Sequence, residues 1–120
     1  MPRPRRASPP PVLTIGPLSV DRTRHTLTVG DRLVHLTPKE TLLLWTLMQR
    51  ADTLVTRAEL MRDVWETTYT ADTRTLDVHM SWLRKKIEAD PAHPVHLKTV
   101  RGQGYMFVAP LTDPKGLEDL

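Results

Sequence analysis

The sequence predicts an α+β domain in which four short strands precede three helices and a closing β-hairpin. Three observations carry that prediction: two helix-start signatures, a strongly amphipathic helix over residues 73–88, and a glycine-containing turn at 101–104. The 120-residue chain is long enough for one domain with tails, and 39% hydrophobic residues suffice for a modest core. We expect a disordered Pro/Arg-rich linker at 1–11, the domain at 12–109 and a flexible tail at 110–120.

Four short strands are expected at the start of the domain. Breaks containing Gly, Pro and Asp separate them, and these residues favour tight turns, so the pattern predicts an antiparallel meander. The expected strands are Val12 to Ile15, Leu18 to Val20, His25 to Val29 and Arg32 to Leu36.

The first two helices begin with capping boxes, in which a Thr hydroxyl accepts from a backbone N–H and a Glu three residues on reaches back. One box is Thr37 to Glu40, with Pro38 at the first helical position, where a missing N–H costs nothing. The other is Thr56 to Glu59. We expect these helices to run to Arg50 and Val64. The side chains expected in the core are Leu43, Leu44, Leu47 and Met48 of the first helix and Leu60 and Val64 of the second.

The third helix has the most informative pattern, and Asp72 or Thr73 is expected to cap it. Its apolar stripe, spaced by three or four residues, consists of Leu76, Met80, Leu83 and Ile87. Its outer face consists of Arg74, Val78, Ser81 and Lys85, bordered by Trp82 on one side and by Asp77, Arg84 and Glu88 on the other. Such a mixture suits a DNA major groove, where cations meet phosphates and methyl and polar groups meet base edges. The alternative is an ordinary solvated face, and Lys86 is expected to be solvated at the helix end.

A short cationic hairpin follows this helix. His96 to Val100 and Tyr105 to Val108 are expected to pair around a turn at 101–104. The glycines of the turn permit a positive φ and a close backbone approach. Arg101 would project outward, where the negative potential of a narrow minor groove attracts a cation. A basic amphipathic helix followed by such a hairpin predicts a winged helix-turn-helix.

The charge distribution supports a nucleic-acid partner more than the net charge of +3 does. Residues 74–101 carry six cations and three anions, whereas residues 7–73 carry seven cations and eight anions. Positive charge is therefore concentrated on the third helix and the hairpin.

Other classes of function find little support. The chain has no cysteine, and Pro94 separates His93 from His96 without further ligands nearby, so neither a metal nor another cofactor is expected. We find no nucleophile with a base and no phosphate-binding loop, so an enzyme is not expected. No apolar run approaches about 18 residues and no signal peptide is evident, so we expect a cytoplasmic protein without a membrane segment.

Three motifs resemble the OmpR/PhoB-type winged-helix DNA-binding domain of two-component response regulators. Leu36-Thr37-Pro38-Lys39-Glu40 resembles the first-helix signature of that family. The segment from Arg74 to Glu88 is similar to its recognition helix, and Thr99 to Phe107 resembles its wing. The likeness runs in order from about Leu13 to Val108.

The resemblance implies an N-terminal four-stranded sheet, three helices and a C-terminal wing. It also implies sequence-specific binding of double-stranded DNA and transcription regulation as the output half of a phosphorelay response regulator. A receiver domain would precede this chain in the full-length protein. The domain would be monomeric when free and would pair on direct-repeat half-sites. The surface expected to contact RNA polymerase consists of Glu66, Thr67, Thr68, Tyr69 and Thr70.

The resemblance also assigns roles to individual residues. Phosphate or sugar-phosphate contacts are implied for Trp65, Arg74, Thr75, His79, Arg84, Thr99 and Tyr105. Asp77 and Val78 would approach base edges, and Arg101 would enter the minor groove. Ser81, Trp82 and Lys85 complete the expected DNA-binding set on or beside the outer face of the helix. Trp82 stands where many relatives have a base-reading Arg, and Thr41 replaces a common aromatic residue of the first helix.

Three other interpretations remain open at this point. An enzyme fragment would need a pocket that collects ionisable groups, and the sequence suggests none. A winged helix that binds partner proteins is compatible with the modest overall charge, although the cationic hairpin argues against it. The DNA-binding head of a one-component regulator would have a similar fold.

Overall fold

The computed structural model describes residues 11–68 and 72–109. In chain order its elements are β1 (Val12–Ile15), β2 (Leu18–Asp21), β3 (Thr26–Val29), β4 (Arg32–His35), α1 (Pro38–Gln49), β5 (Val55–Thr56), α2 (Arg57–Trp65), α3 (Arg74–Ile87), β6 (Leu97–Val100) and β7 (Gly104–Phe107). The linker expected at 1–11, apart from Pro11, and the tail expected at 110–120 lie outside the described residues. None of the three helices described is long and apolar enough to cross a membrane.

The N-terminal sheet is the predicted antiparallel meander, in the order β1-β2-β3-β4. Its inner face packs on the core through Leu18, Val20 and Leu27, none of which is exposed. The turn after β2 is stabilised by the Asp21 carboxylate, which accepts from the backbone N–H groups of Thr23 and Arg24 at 2.9 and 3.0 Å. All four predicted strands are present, with ends that differ by at most one residue from the expected ones.

Both capping boxes are formed as predicted. Thr37 Oγ1 accepts from Glu40 N at 3.1 Å while Glu40 Oε1 accepts from Thr37 N at 2.9 Å. Thr56 and Glu59 make the same reciprocal pair at 3.1 and 2.8 Å. Each box satisfies donors that a helix start would otherwise leave unpaired. The predicted apolar faces are confirmed, since Leu43, Leu44, Leu47, Met48, Leu60 and Val64 are all buried.

The predicted apolar stripe of α3 is buried in the core, where α3 packs on α1 and α2. Leu76, Met80 and Leu83 are fully buried and Ile87 is 3% exposed. Burying side chains of this size stabilises the fold by about 1.5–3 kcal/mol each, which fixes which face of α3 remains outside. Thr73 occupies the position before the helix, but its side chain makes no capping bond.

A second sheet of three strands, in the order β5-β7-β6, forms the base of the wing. The hairpin was predicted, but the two-residue strand β5 was not. Gly104 lies where β7 passes β5, and a side-chain carbon there would overlap Val55 O and lie 2.8 Å from Thr56 Cα. Gly102 supplies the positive φ of the turn, at 74°. Gly104 is therefore needed for close packing against β5, and Gly102 for the positive φ of the turn.

Two charged residues at the end of α3 are placed differently from the prediction. Lys86 is not a freely solvated lysine, because its Nζ donates to Glu40 Oε1 at 2.6 Å and to His35 O at 3.1 Å. Glu88, expected beside the outer face, is only 6% exposed. Its carboxylate accepts from three consecutive backbone N–H groups, those of Val95 and His96 before β6 and that of Leu97 at its start. Both residues fasten the C-terminal end of α3 to its neighbours.

Thr41, which the resemblance places where an aromatic residue is common, is accommodated by hydrogen bonds. Thr41 is 2% exposed, and its hydroxyl donates to Thr37 O at 2.9 Å. His25 Nδ1 lies 3.3 Å from the same oxygen. A small polar side chain with partners thus replaces the aromatic packing expected from the resemblance.

Candidate nucleic-acid interface

The outer face of α3 is a continuous exposed surface. The predicted contact residues that it exposes are Arg74, Thr75, Asp77, Val78, Ser81, Trp82 and Lys85. Val78 and Trp82 are 43% and 44% exposed, which is high for large apolar side chains on a helix with a complete buried stripe. This surface offers a methyl pair, an indole, a hydroxyl and cations within four turns, the groups that recognise base edges and phosphates.

An aromatic cluster lies at one side of this surface. The His79 ring lies between Trp65, with centroids 5.2 Å apart, and Trp82, with centroids 4.9 Å apart. His79 Nδ1 lies 2.8 Å from Thr75 O, so the proton is on Nδ1 and Nε2 remains for another partner. Trp65 is half-buried as the last residue of α2, and Lys39 Nζ lies 5.8 Å from its ring. His79 therefore contacts both indole rings, and Trp82 remains 44% exposed.

The cation at the start of α3 has an intramolecular partner. Arg74 donates to the Asp72 carboxylate through Nε at 2.9 Å and Nη2 at 2.7 Å. These bonds, together with that from Arg74 N, lower the pKa of Asp72 to about 2. The pair is exposed, so exchanging Asp72 for a phosphate costs Arg74 little.

Asp77 is held by groups from two other elements. Arg57 Nη2, at the start of α2, donates to both carboxylate oxygens at 2.6 and 2.7 Å. The Tyr105 hydroxyl of β7 donates to Oδ1 at 2.7 Å. The Arg57 guanidinium is itself fixed by Thr73 Oγ1, which accepts from Nη2 at 2.7 Å and from Nε at 3.0 Å. Thr73 is therefore used to anchor Arg57, which explains why it does not cap α3.

Tyr105 is 5% exposed, so its ring belongs to the core and its hydroxyl reaches toward α3. Burial, followed by the hydrogen bond to Asp77, raises the pKa of Tyr105 above its ordinary value. The phenol therefore remains a proton donor to Asp77 at neutral pH. A contact between Tyr105 and the DNA backbone stays a prediction.

Arg84 connects α3 to the wing. Its Nε donates to Leu97 O at 3.0 Å, and its Nη2 donates to Thr99 Oγ1 at 2.8 Å. The guanidinium carbon lies 5.5 Å from the centre of the Tyr105 ring. Arg84 and Asp77 thus fasten the wing to α3 at two points. Phosphate contacts by Arg84 and Thr99 stay predictions, and both side chains would have to make them in addition to these bonds.

The tip of the wing is exposed at Arg101, Gly102 and Gln103. Gln103 N donates to Val100 O at 2.9 Å, and Gln103 O accepts from Arg57 N at 3.1 Å. Within the part of the chain that the structure describes, the Arg101 side chain makes no hydrogen bond or ion pair. Arg101 is exposed on a turn whose backbone is held by these two hydrogen bonds.

The loop expected to contact RNA polymerase is described only in part. Glu66 is exposed and adopts a left-handed conformation with φ 55°, which ends α2. Thr67 N donates to Met61 O at 3.2 Å, and Thr68 is exposed. Tyr69 and Thr70 lie outside the described residues.

Sequence reasoning missed Arg57 as part of this surface. It is the first residue of α2, and nothing in its neighbourhood in the sequence marks it as a partner of Asp77, which follows 20 residues later. The pairing depends on how α2, α3 and β7 meet.

The family of transcriptional regulatory proteins, C-terminal domain, matches residues 30–107 of this chain. The chain is an OmpR/PhoB-type winged-helix DNA-binding domain. The predicted fold and the predicted class of function, DNA-binding transcription regulation, are thereby confirmed.

Relatives of this OmpR/PhoB-type domain include regulators from mycobacteria. The sensory transduction protein RegX3 of Mycobacterium leprae is 51% identical over 94 residues, covering 78% of this chain and 48% of the relative. The transcriptional regulatory protein KdpE of Mycobacterium tuberculosis is 39% identical over 99 residues, covering 82% and 44%. The chain therefore spans less than half the length of these relatives.

Solved structures share the winged-helix architecture. The DNA-binding domain of RstA from Klebsiella pneumoniae, in complex with the RstA box, matches with a TM-score of 0.74 and 31% identity, covering 81% of this chain and 96% of that one. The DNA-binding domain of CpxR from E. coli matches with a TM-score of 0.73 and 29% identity, covering 84% and 99%. The response regulator DrrB of Thermotoga maritima matches with a TM-score of 0.72 and 34% identity, covering 82% and 45%.

Proposed function

We propose that this domain is the output half of a phosphorelay response regulator, and that it reads DNA with α3 in the major groove and the wing in the minor groove. The observation that carries the proposal is the exposed outer face of α3, joined to the wing by the bond between Asp77 and Tyr105. Because that bond and the Arg84 contacts link the two elements, they can meet one duplex as a unit.

The residues that would touch DNA fall into three groups. Phosphate contacts are proposed for Trp65, Arg74, Thr75, His79, Arg84, Lys85, Thr99 and Tyr105. Base edges would be read by Asp77, Val78, Ser81 and Trp82, with the Val78 methyls against a thymine methyl. Arg101 would lie in the minor groove.

The partners of the full-length protein are also proposals. Relatives about twice as long as this match include a sensory transduction protein, which supports a receiver domain preceding this one. Phosphorylation of the receiver would bring two copies together on direct-repeat half-sites. The loop containing Glu66, Thr67 and Thr68 would contact RNA polymerase, and the protein would act in the cytoplasm without catalysing a reaction.

Selection of bound duplexes from a randomised library tests the proposal. We expect the 120-residue chain to select one sequence motif, and its affinity to fall with salt with a log–log slope of several units. Val78→Ala and Trp82→Ala should change the preference at one or two positions by about 1–3 kcal/mol each.

Arg24→Ala is the matched control, since Arg24 is an exposed cation in the turn between β2 and β3. It should leave the selected motif unchanged. A chain that selects no motif, or an affinity that does not respond to salt, would refute DNA reading. Unchanged motifs for the Val78 and Trp82 variants would refute the role of α3. Sedimentation of the free chain should show a monomer, and a stable dimer at micromolar concentration would contradict pairing on DNA.

A further inference from the structure

The carboxylate of Asp77 lies on the DNA-facing side of α3, where an unpaired negative charge would repel phosphates. Its side chain is 46% exposed, so it is neither in the core nor withdrawn from the surface. The Arg57 guanidinium at 2.6 Å neutralises this charge. Asp77 can therefore remain on a surface that approaches DNA.

The hydrogen bonds to Asp77 leave a limited capacity for any further partner. An ionised carboxylate has about four acceptor positions, two on each oxygen. Oδ1 accepts from both Arg57 and Tyr105, whereas Oδ2 accepts from Arg57 only. One position on Oδ2 is therefore open, on a side chain that is 46% exposed.

The carboxylate is also fixed in orientation. Arg57 holds it from α2, Tyr105 holds it from β7, and Thr73 holds Arg57 in turn. A polar group that is already oriented loses less conformational freedom on binding, so it discriminates better between partners. In the major groove, the partners that donate to an acceptor are the exocyclic amino groups of cytosine and adenine.

We propose that Arg57, which lies outside the recognition helix, is a positioning residue for base reading. Together with Tyr105 it holds Asp77 so that Oδ2 accepts one hydrogen bond from a base amino group in the major groove. This inference rests on the proposed DNA reading and assigns the specificity of one base pair to an arginine of α2.

The test is selection from randomised duplexes with the full 120-residue chain and five variants. Asp77→Ala should remove the preference for cytosine or adenine at one base pair. Arg57→Ala should weaken the preference at that same base pair by about fivefold or more, because the acceptor is no longer oriented. The identity of the base preferred by the unsubstituted chain distinguishes cytosine from adenine.

The double variant Arg57→Ala/Asp77→Ala distinguishes positioning from direct contact. If Arg57 acts through Asp77, the double variant should be no worse than Asp77→Ala at that base pair. Arg62→Ala is the matched control, since Arg62 is also an α2 arginine paired with an aspartate, Asp63, at 2.7 Å. It should leave the preference unchanged.

Tyr105→Phe removes one donor to Asp77 and keeps the buried ring. It should weaken the same base preference, and it carries the test if Arg57→Ala does not fold, as judged by circular dichroism. The inference is overturned if Arg57→Ala, or Tyr105→Phe in its place, leaves the preference at the Asp77 base pair intact or changes a different base pair from Asp77→Ala. Failure of the unsubstituted chain to select any motif would instead overturn the proposed DNA reading.

Discussion

The third helix and the tip of the wing both offer cations to solvent, but they are held in different ways. The stripe of α3 is buried to 3% exposure or less, and its polar residues Asp77, Arg84 and Lys86 bond to β7, to the wing and to α1. At the wing tip, Arg101 to Gln103 are exposed, and the bonds that fix the turn join backbone atoms.

This difference indicates that α3 and the wing tip contribute differently to DNA recognition. A surface whose side chains are fixed before binding can discriminate between bases, because a wrong base leaves polar groups unpaired. A long cationic side chain on a fixed turn can adapt, so it responds to groove width and potential rather than to base identity. Substitutions in the buried stripe of α3 should therefore disturb folding, whereas substitution of the Arg101 side chain at the wing tip should change only binding.

The largest effect is expected where the base of the wing crosses β5. Gly104→Ala would push a side-chain carbon into the backbone at Val55 and Thr56, so the free energy of unfolding should fall by at least about 3 kcal/mol. Gly102→Ala meets open space and bears only the strain of φ 74°, so we expect a loss of about 1–2 kcal/mol. Urea denaturation of both variants measures the difference, and equal losses would contradict the close packing at Gly104.

Two adjacent lysines of α3 should respond differently to substitution, Lys86 through folding stability and Lys85 through DNA binding. Lys86→Ala leaves Glu40, with a side chain 2% exposed, without its ion-pair partner. We expect a loss of about 2–3 kcal/mol in unfolding free energy, below the usual range for a buried pair because Lys86 is one-third exposed.

Lys85→Ala is the matched control, since Lys85 is exposed on the same helix. It should change the free energy of unfolding by less than about 0.5 kcal/mol. It should instead reduce the salt slope of DNA binding by about one. If both variants unfold at the same urea concentration as the unsubstituted chain, the pair between Lys86 and Glu40 does not support α3.

A smaller effect is expected at the start of α2, which supports the wing and α3 alike. Thr56→Ala removes the hydroxyl that accepts from Glu59 N at 3.1 Å, so the free energy of unfolding should fall by about 0.5–2 kcal/mol. Thr53→Ala, at an exposed threonine with only a 3.5 Å contact, should change it by less than about 0.5 kcal/mol. Thermal melting of the two variants provides the comparison, and indistinguishable curves would contradict the cap.

Local signals in the sequence were sufficient to predict the main elements. Each capping box, at Thr37 and at Thr56, lies within one helical turn, and the stripe from Leu76 to Ile87 lies within one helix. Both patterns can therefore be recognised in the sequence without knowledge of the fold. The same spacing predicted which side chains of α3 face outward. Val78 and Trp82 are exposed for that reason, although their roles in reading DNA stay predictions.

The contacts that could not be predicted join residues far apart in the chain. Strand β5 has two residues and exists because Val55 pairs with Tyr105. Lys86 meets Glu40 across 46 residues, and Tyr105 meets Asp77 across 28. Helical spacing places Lys85 rather than Lys86 on the outer face, but only the packing of α1 on α3 brings Glu40 within reach of Lys86.

The smallest effect on folding is expected at Arg101. Its side chain is exposed and is not bonded to any residue in 11–68 or 72–109, so Arg101→Ala should change the free energy of unfolding by less than about 0.5 kcal/mol. Binding should weaken most on duplexes with A·T-rich flanks, whose narrow minor groove attracts an arginine, and the salt slope should fall by about one. Titrations of matched A·T-flanked and G·C-flanked duplexes at several salt concentrations measure both quantities, with Arg24→Ala as the control that should alter neither. An equal loss on the two kinds of flank would mean that Arg101 neutralises a phosphate without sensing groove width, and the wing would then contribute affinity rather than specificity.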